Sequence, residues 1–438
     1  MNLRADGSSK RVVFLTSLAF MGLAHILYFR HYLKGAFFAL IQIVMLINIP
    51  GVVRTIHGMI TLGEPAPHLP VAQRDHSTFM LIEGVAIMAV IALFLCVYYI
   101  SVKSAVKTYQ NYCVTGTLAK NRDSVKELFN SAFPIFGLAL PVLLVVFFVV
   151  VPLVFAALVS FTNYSSPHHL PPGNTVDWVG LENYTALFGG DTLWTGALVR
   201  VAVWTVAWAF LATFTCYFGG MIIAVILKDF KIRIAPMFRI VFILPYAVPA
   251  VISMLVWRNL LHGQFGAINQ TLMHFGIIES GIPWLTSVWM VRFVVVLVNL
   301  WAGFPYFMLL TMGSMTAISE DLFAAAKIDG ASGFGLFRHI TFPLVTFQTM
   351  PLIIMSFTHN INNFGAIFFL TGGNPPVRDT PLTSATGVDI LITWIYRLTM
   401  ETQNFRFAAV LAVMVFMILA PFAIFQFMRT KSFREGEL

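Results

Sequence analysis

Eight apolar stretches punctuate the chain, at approximately 36–53, 79–100, 134–161, 199–227, 237–261, 287–316, 344–370 and 406–428. Each is close to or above the length of about 20 residues that a helix needs to cross roughly 30 Å of hydrocarbon. A shorter apolar piece, 12–29, is interrupted by Gly22 and His25. The polar segments between them, 54–78, 101–133, 162–198, 228–236, 262–286, 317–343 and 371–405, read as loops. The pattern predicts an all-α polytopic membrane protein with about eight transmembrane helices, nine if 12–29 also spans.

Composition agrees with the pattern. The 438 residues are 58% hydrophobic and 11% charged, whereas a soluble domain carries about 25% charged residues. The formal net charge is +8, from 27 Lys and Arg against 19 Asp and Glu. No basic run or groove signature accompanies it, so no nucleic-acid partner is expected. The excess orients the chain instead. With eight spans, Arg4, Lys10, Arg11, Arg30 and Lys34 fall on one side, joined by Lys103, Lys107, Lys120, Arg122 and Lys126. Lys228, Lys231, Arg233, Arg239, Lys327, Arg338, Arg429, Lys431 and Arg434 complete the set. By the positive-inside rule that side is cytoplasmic, and both termini lie there. If 12–29 spanned, the N-terminus would flip outward with three basic residues. The charged linker divides the chain into an N-terminal membrane extension with two spans, 1–133, and a six-span block, 134–433. Cys96, Cys113 and Cys216 show neither zinc nor disulfide spacing, and the N-terminus lacks a convincing cleavage site, so it is expected to be retained.

Polar residues inside spans carry the chemistry, because they are expensive there. Ser356, Asn360 and Asn363 fall at i, i+4 and i+7 of the span 344–370, on one face if it is a continuous helix. Amides and hydroxyls on one face supply the paired donors and acceptors that sugar hydroxyls need. The same residue types serve interhelical hydrogen bonds, and the residues alone leave both readings open. Pro245, Pro249 and Pro305 lie inside spans and are expected to kink them. Glu83 is the one acidic residue well within an apolar stretch, which speaks against proton coupling. No G-x-x-x-x-G-K-[ST], paired carboxylates or H-E-x-x-H is present. Neither a catalytic residue nor a metal or cofactor held by this chain is expected, so it is not read as an enzyme.

The loop 318–343 is unusually well organised. Ser319 suits an N-cap, Glu320 and Asp321 suit a first turn, and Leu322, Phe323, Ala326 and Lys327 continue at helical spacing. Gly330 suits a helix end. A second short amphipathic helix is expected through Phe334, Phe337 and Arg338, with Pro343 starting the next span. Physics alone allows an interfacial connector or a small apolar knob offered to a partner. The spacing Ala-Ala-x3-Gly-x9-Ile-x-x-Pro, from Ala325, Ala326, Gly330, Ile340 and Pro343, resembles the "EAA" loop of bacterial ABC importer permeases. In that family it docks on the cytoplasmic ATPase. The family's leading Glu is Ala324 here and its Leu before the Pro is Phe342, with Glu320 or Asp321 available one turn earlier. Asp329, beside Gly330, belongs to the same candidate coupling set.

Ile243-Leu-Pro-Tyr-Ala-Val-Pro249, Asn299-Leu-Trp-Ala-Gly-Phe-Pro-Tyr306, Asp329-Gly-Ala and Ser356-Phe-Thr-His-Asn-Ile-Asn-Asn-Phe364 stand in an order that resembles one branch of that family. The branch is the larger permease subunit of maltose/maltodextrin ABC importers, and the match covers roughly 134–438. The resemblance implies a six-helix permease core and sugar contacts at Tyr246, Asn299, Gly303, Ser356, Asn360 and Asn363. It also implies a second permease subunit forming a heterodimer, two ATP-binding cassette subunits that hold the ATP and Mg, and an extracytoplasmic sugar-binding protein. The location implied is the bacterial cytoplasmic membrane, in contact with membrane lipid. Where the family often has Ser, four residues after Tyr246, stands Ala250, and a further contact position holds the small Ala302. A different or longer oligosaccharide fits those changes. The segment 162–198 leaves room only for a short outer loop. The competing reading is a secondary sugar carrier or channel that works without an ATPase. An enzyme acting on glycans is disfavoured by the lack of paired acids.

Overall fold

The structure is a computed structural model that describes residues 7–118, 133–229 and 234–428. Arg4, Lys120, Arg122, Lys126, Lys231, Arg233, Arg429, Lys431 and Arg434, which the charge count uses, lie outside them. Among the described residues, the regular elements are helices. Six are long and apolar enough to cross a membrane, and two bent pairs raise the number to eight. The chain forms two compact units, Met1–Gly180 and Leu181–Leu438.

In the first unit, α1 (Gly7–Ala19) and α2 (Leu23–Leu27) precede α3 (Tyr32–Ile47) and α4 (Ile49–Thr61). The last two meet at a 54° bend, just before Pro50. Then come α5 (Ser77–Thr115), α6 (Phe133–Val145) and α7 (Val151–Val159). Segment 12–29 is a broken piece, not a span. Gly22 turns the chain at φ 79°, and a Cβ there would sit 2.1 Å from the Gly35 carbonyl oxygen, so only glycine fits.

The sequence reading places a loop at 101–133, but α5 continues as helix to Thr115. Its 39 residues run about 58 Å, nearly twice the hydrocarbon thickness. The extra length is covered: Ala105 and Tyr109 are buried against Val13, Ala24 and Phe29. A charged but amphipathic extension thus forms helix because α1 and α2 cover its apolar side. At the other end, the loop after α7 is tied to α4 and α5. Trp178 Nε1 donates to the Ile60 carbonyl at 2.9 Å, and Val176 N donates to Ser77 Oγ at 3.0 Å.

The second unit is built on α8 (Thr192–Asp229), α9 (Ala235–Ala247), α10 (Ala250–Leu260) and α11 (Ala267–His274). Then follow α12 (Val288–Thr316), α13 (Glu320–Ile328), α14 (Gly333–Leu336), α15 (Phe342–Ile361), α16 (Phe364–Thr371), α17 (Leu391–Met400) and α18 (Phe405–Met428). The pairing of α8 with α12 is its backbone, with Trp204, Trp208 and Ala212 packed on Val291, Val294 and Val298.

Two of the expected spans of this unit are broken. The stretch 237–261 bends by 93° between α9 and α10. Pro249 forces the preceding Val248 into extended backbone (φ −87°, ψ 135°). The stretch 344–370 stops at Ile361 and restarts at Phe364. Pro305, by contrast, sits within an unbroken α12. Between α14 and α15, Phe337–Thr341 forms a widened π-turn, so helix runs from Gly333 straight into the span. Pro343 follows that turn at once. Its ring would clash with the carbonyl four residues back, and an extra residue in the turn relieves the clash.

Candidate functional site

The polar residues of the second unit gather along α8. Asn360, in the last turn of α15, is buried and donates Nδ2 to Thr213 Oγ1 at 3.0 Å. Its carbonyl accepts from Trp208 Nε1 at 3.1 Å. Asn363 donates Nδ2 to Asn360 Oδ1 at 3.2 Å, and its own Oδ1 accepts from Ala366 N at 3.2 Å. The expectation that Ser356, Asn360 and Asn363 share one helical face is therefore corrected. Asn363 caps the next helix, because an Asn side chain that bonds nearby backbone ends one helix and starts another. Ser356 lies half-buried one turn before Asn360.

One turn further along α8, Asn299 of α12 donates Nδ2 to Cys216 Sγ at 3.3 Å. A Cβ on Gly303 would come within 2.7 Å of the same sulfur, so Gly303 provides the space that the thiol fills. Tyr246, near the end of α9, is 55% exposed and stacks on Tyr306, with ring centroids 6.2 Å apart. Ala250 opens α10 just past the bend. Three groups result: Asn360 with Asn363, Asn299 with Gly303, and Tyr246 with Tyr306. The first two meet through α8. Sequence reasoning missed Trp208, Thr213 and Cys216, although polar residues inside the apolar run 199–227 were a usable signal. None of the seam's side chains is charged, so it offers hydrogen bonds and aromatic faces but no counter-ion.

The loop after α12 is as organised as its sequence suggests. Ser319 Oγ accepts from Asp321 N at 3.3 Å, Glu320 and Asp321 occupy the first turn, and Asp329 is the C-cap. Ala331 N reaches back to the Ala326 carbonyl at 2.9 Å while Gly330 adopts φ 80°. This is the left-handed closure that favours glycine. Phe323, Phe337 and Ile340 pack inward beside Tyr217 and Phe307. Leu322, Ile328 and Phe334 stay exposed, as do Ala324, Ala325 and Pro343, while Ala326 is half-buried. The result is a capped, glycine-closed pair of short helices whose outer face sets Leu322, Ile328 and Phe334 among the exposed charges Glu320, Asp321, Lys327 and Asp329.

The segment 372–402 is pinned by buried polar bonds. Arg200 Nη1 lies 2.6 Å from Asp379 Oδ1. Asp389 accepts from Thr386 N and Thr393 Oγ1. Burial raises the Asp389 carboxyl. Burial, the largest single influence, would also raise Asp379, but the Arg200 hydrogen bond and charge, together with hydrogen bonds from the Asp379 backbone and Thr383, outweigh it and hold the carboxyl below its ordinary value of 3.8. A depressed carboxylate contributes stability that is present above 3.8 and is lost as pH falls through the lower folded value. Hydrogen exchange of 372–386, corrected for intrinsic rates, is expected to speed up below that pH. In Arg200→Gln the acid-induced step should vanish.

The family model for "Binding-protein-dependent transport system inner membrane component" matches residues 217–431. The galactooligosaccharides transport system permease protein GanP of Bacillus subtilis (strain 168) is 34% identical over 378 residues, 86% of this chain and 88% of that protein. The chain belongs to this family of permeases. The maltodextrin transport system permease protein MdxF of the same bacterium is 31% identical, with 88% of each chain covered. The maltose/maltodextrin permease MalF of Escherichia coli (strain K12) is 36% identical over 266 residues, 60% of this chain and 51% of that one. Among solved structures, a bacterial alginate ABC transporter in complex with alginate pentasaccharide-bound periplasmic protein aligns with a TM-score of 0.54 at 16% identity. It covers 70% of this chain and 97% of that one. That likeness shows the fold. As a member of the family, the chain is a membrane-embedded permease, and its matched relatives are transport proteins.

Proposed function

We propose that the chain is one permease subunit of an ATP-driven importer for neutral oligosaccharides of the maltodextrin class, with the 318–343 loop as its contact to a separate ATPase. The observation that carries this is the pairing of an uncharged amide seam on α8, α12 and α15 with a capped, glycine-closed helical loop directly after α12 that exposes both apolar and charged side chains. In the seam, Tyr246, Asn299, Gly303, Ser356, Asn360 and Asn363 are the residues assigned to sugar passage. In the loop, Glu320, Asp321, Ala324, Ala325, Ala326, Asp329, Gly330, Ile340 and Pro343 form the docking element. ATP and Mg belong to the partner ATPase pair. A second permease completes the pathway, and an extracytoplasmic binding protein delivers the sugar. Both termini are assigned to the cytoplasmic side of the membrane.

Galactooligosaccharide is the second reading of the substrate, favoured by the 34% identity to a permease named for it. Both sugars are neutral and rich in hydroxyls, which the seam suits equally. The test is reconstitution of the complete importer in liposomes with ATP on the ATPase side, comparing labelled maltodextrin with galactooligosaccharide. Uptake is expected to require ATP and to survive collapse of the proton gradient. Uptake by this chain alone, driven by a proton or sodium gradient, would overturn the reading. Gly330→Val, which puts a β-branched residue at φ 80°, should abolish ATP-driven uptake and weaken retention of the ATPase while the chain still inserts.

A further inference from the structure

Cys216, on α8, is buried, whereas Cys96 and Cys113 are exposed. It engages one residue of α12 twice. Its Sγ accepts from Asn299 Nδ2 at 3.3 Å, and its S–H donates to the Asn299 main-chain carbonyl at 3.4 Å. One thiol thus holds both the backbone and the amide of the same residue. Among the described residues, Asn299 Nδ2 has one further acceptor, the Ala212 carbonyl, at a long 3.5 Å. A carbonyl can only accept, which fixes the amide nitrogen on the α8 side. Asn299 is half-buried, and its Oδ1 accepts no hydrogen bond from the described residues. The amide oxygen is therefore the atom left to meet a solute.

Gly303, one turn further along α12, explains how the thiol is seated. A Cβ there would lie 2.7 Å from Cys216 Sγ and 3.6 Å from Cys216 Cβ, with no other side chain within 4 Å. The bare face of Gly303 looks at α8, and the sulfur occupies it. Gly303 lies inside the unbroken α12 without a left-handed backbone, so space and not conformation accounts for the glycine. The terminal torsion of an Asn side chain is broad and roughly two-fold, so an amide that is not held turns over readily. Leaving that amide unpaired in apolar surroundings is costly, and the sulfur bond selects the orientation with nitrogen toward α8.

We infer that Cys216 is a positioning residue for sugar passage: seated in the hollow of Gly303, it holds Asn299 so that Oδ1 accepts from a sugar hydroxyl. The inference rests on the transport reading above. It gives Gly303 an indirect part in passage, making room for the thiol that orients Asn299.

A double-mutant cycle in the complete importer tests this, with ATP-driven maltodextrin uptake and Tm read together. Cys216→Ala should raise the apparent KM about threefold or more, the ratio that a typical bond between membrane helices corresponds to. Cys216→Ser, which keeps a donor and an acceptor, should hold KM near the parent value. Gly303→Ala should raise KM by displacing the thiol. Cys216→Ala/Gly303→Ala should regain Tm relative to Gly303→Ala, with a KM no higher than that of Cys216→Ala. KM effects that multiply in the double variant would put Gly303 itself against the sugar and overturn the inference. So would equal losses in Cys216→Ser and Cys216→Ala that follow Tm with KM unchanged. A second readout is independent of what the importer carries. In a Cys96→Ser/Cys113→Ser background, the infrared S–H stretch reports Cys216 alone, and Asn299→Ala should shift it. An unmoved band would overturn the latch, whereas a parent importer without ATP-driven sugar uptake would overturn the transport reading instead.

Discussion

Gly220→Ala is expected to destabilise the second unit sharply, by forcing α8 and α12 apart. A Cβ at Gly220 would lie 2.5 Å from Met308 N, 2.6 Å from the Phe304 carbonyl oxygen and 2.8 Å from the Phe307 carbonyl carbon. All three atoms are backbone of α12, so no rotamer change relieves the clash and the two helices must separate. Helix pairs in a bilayer gain little from hydrophobicity and depend on close approach at small residues, so separation removes what holds them together. Overpacking of this kind costs about 1–3 kcal/mol, and more where backbone must move. Gly219 is the internal control. Its Cβ would meet the end of the Leu300 side chain at 2.8 Å, which can swing away. Thermal unfolding of the purified chain should show a clear fall in Tm for Gly220→Ala and a much smaller one for Gly219→Ala. Equal shifts would mean that the α8–α12 contact does not set stability.

The positions of the spans were readable because 20-residue apolar runs have few alternative fates. Their interruptions were readable only in part. Pro249 announced a kink, but a bend of 93° depends on how α9 and α10 find separate packing partners, which local sequence does not encode. Asn-Ile-Asn-Asn at 360–363 looked like a ligand-facing stripe, because apolar residues continue on both sides. The same amides instead end α15 and cap α16, satisfying backbone groups that a helix break exposes inside the membrane. The α5 extension was misread for the converse reason. Lys103 and Lys107 made 101–115 look like a loop, while the cover over Ala105 and Tyr109 came from Val13 and Phe29, far away in sequence. In the candidate site, Tyr246 and Asn299 were legible through their motifs. Cys216 and Thr213 were not, since their meaning lies in partners 83 and 147 residues away.

Asn360 is where the packing and transport readings of the seam separate. Asn360→Ala removes the amide that joins Thr213 to Asn363, leaving the Asn363 Nδ2 group without its acceptor. Thr213→Val removes the same bond to α8 but keeps the Asn360 amide and its hold on Asn363. Polar side-chain bonds between membrane helices average about 0.6 kcal/mol, so both variants should lose similar and modest thermal stability. Transport should differ. If the Asn360 amide takes part in sugar passage, directly and by orienting Asn363, ATP-driven uptake by the complete importer should fall about tenfold or more in Asn360→Ala. That corresponds to about 1.4 kcal/mol of barrier. Thr213→Val should retain most of its uptake. The apparent KM for sugar should rise in the first variant and stay near normal in the second. Equal uptake losses that track equal losses in Tm would assign Asn360 to helix packing alone and move the sugar path toward Tyr246 and Tyr306.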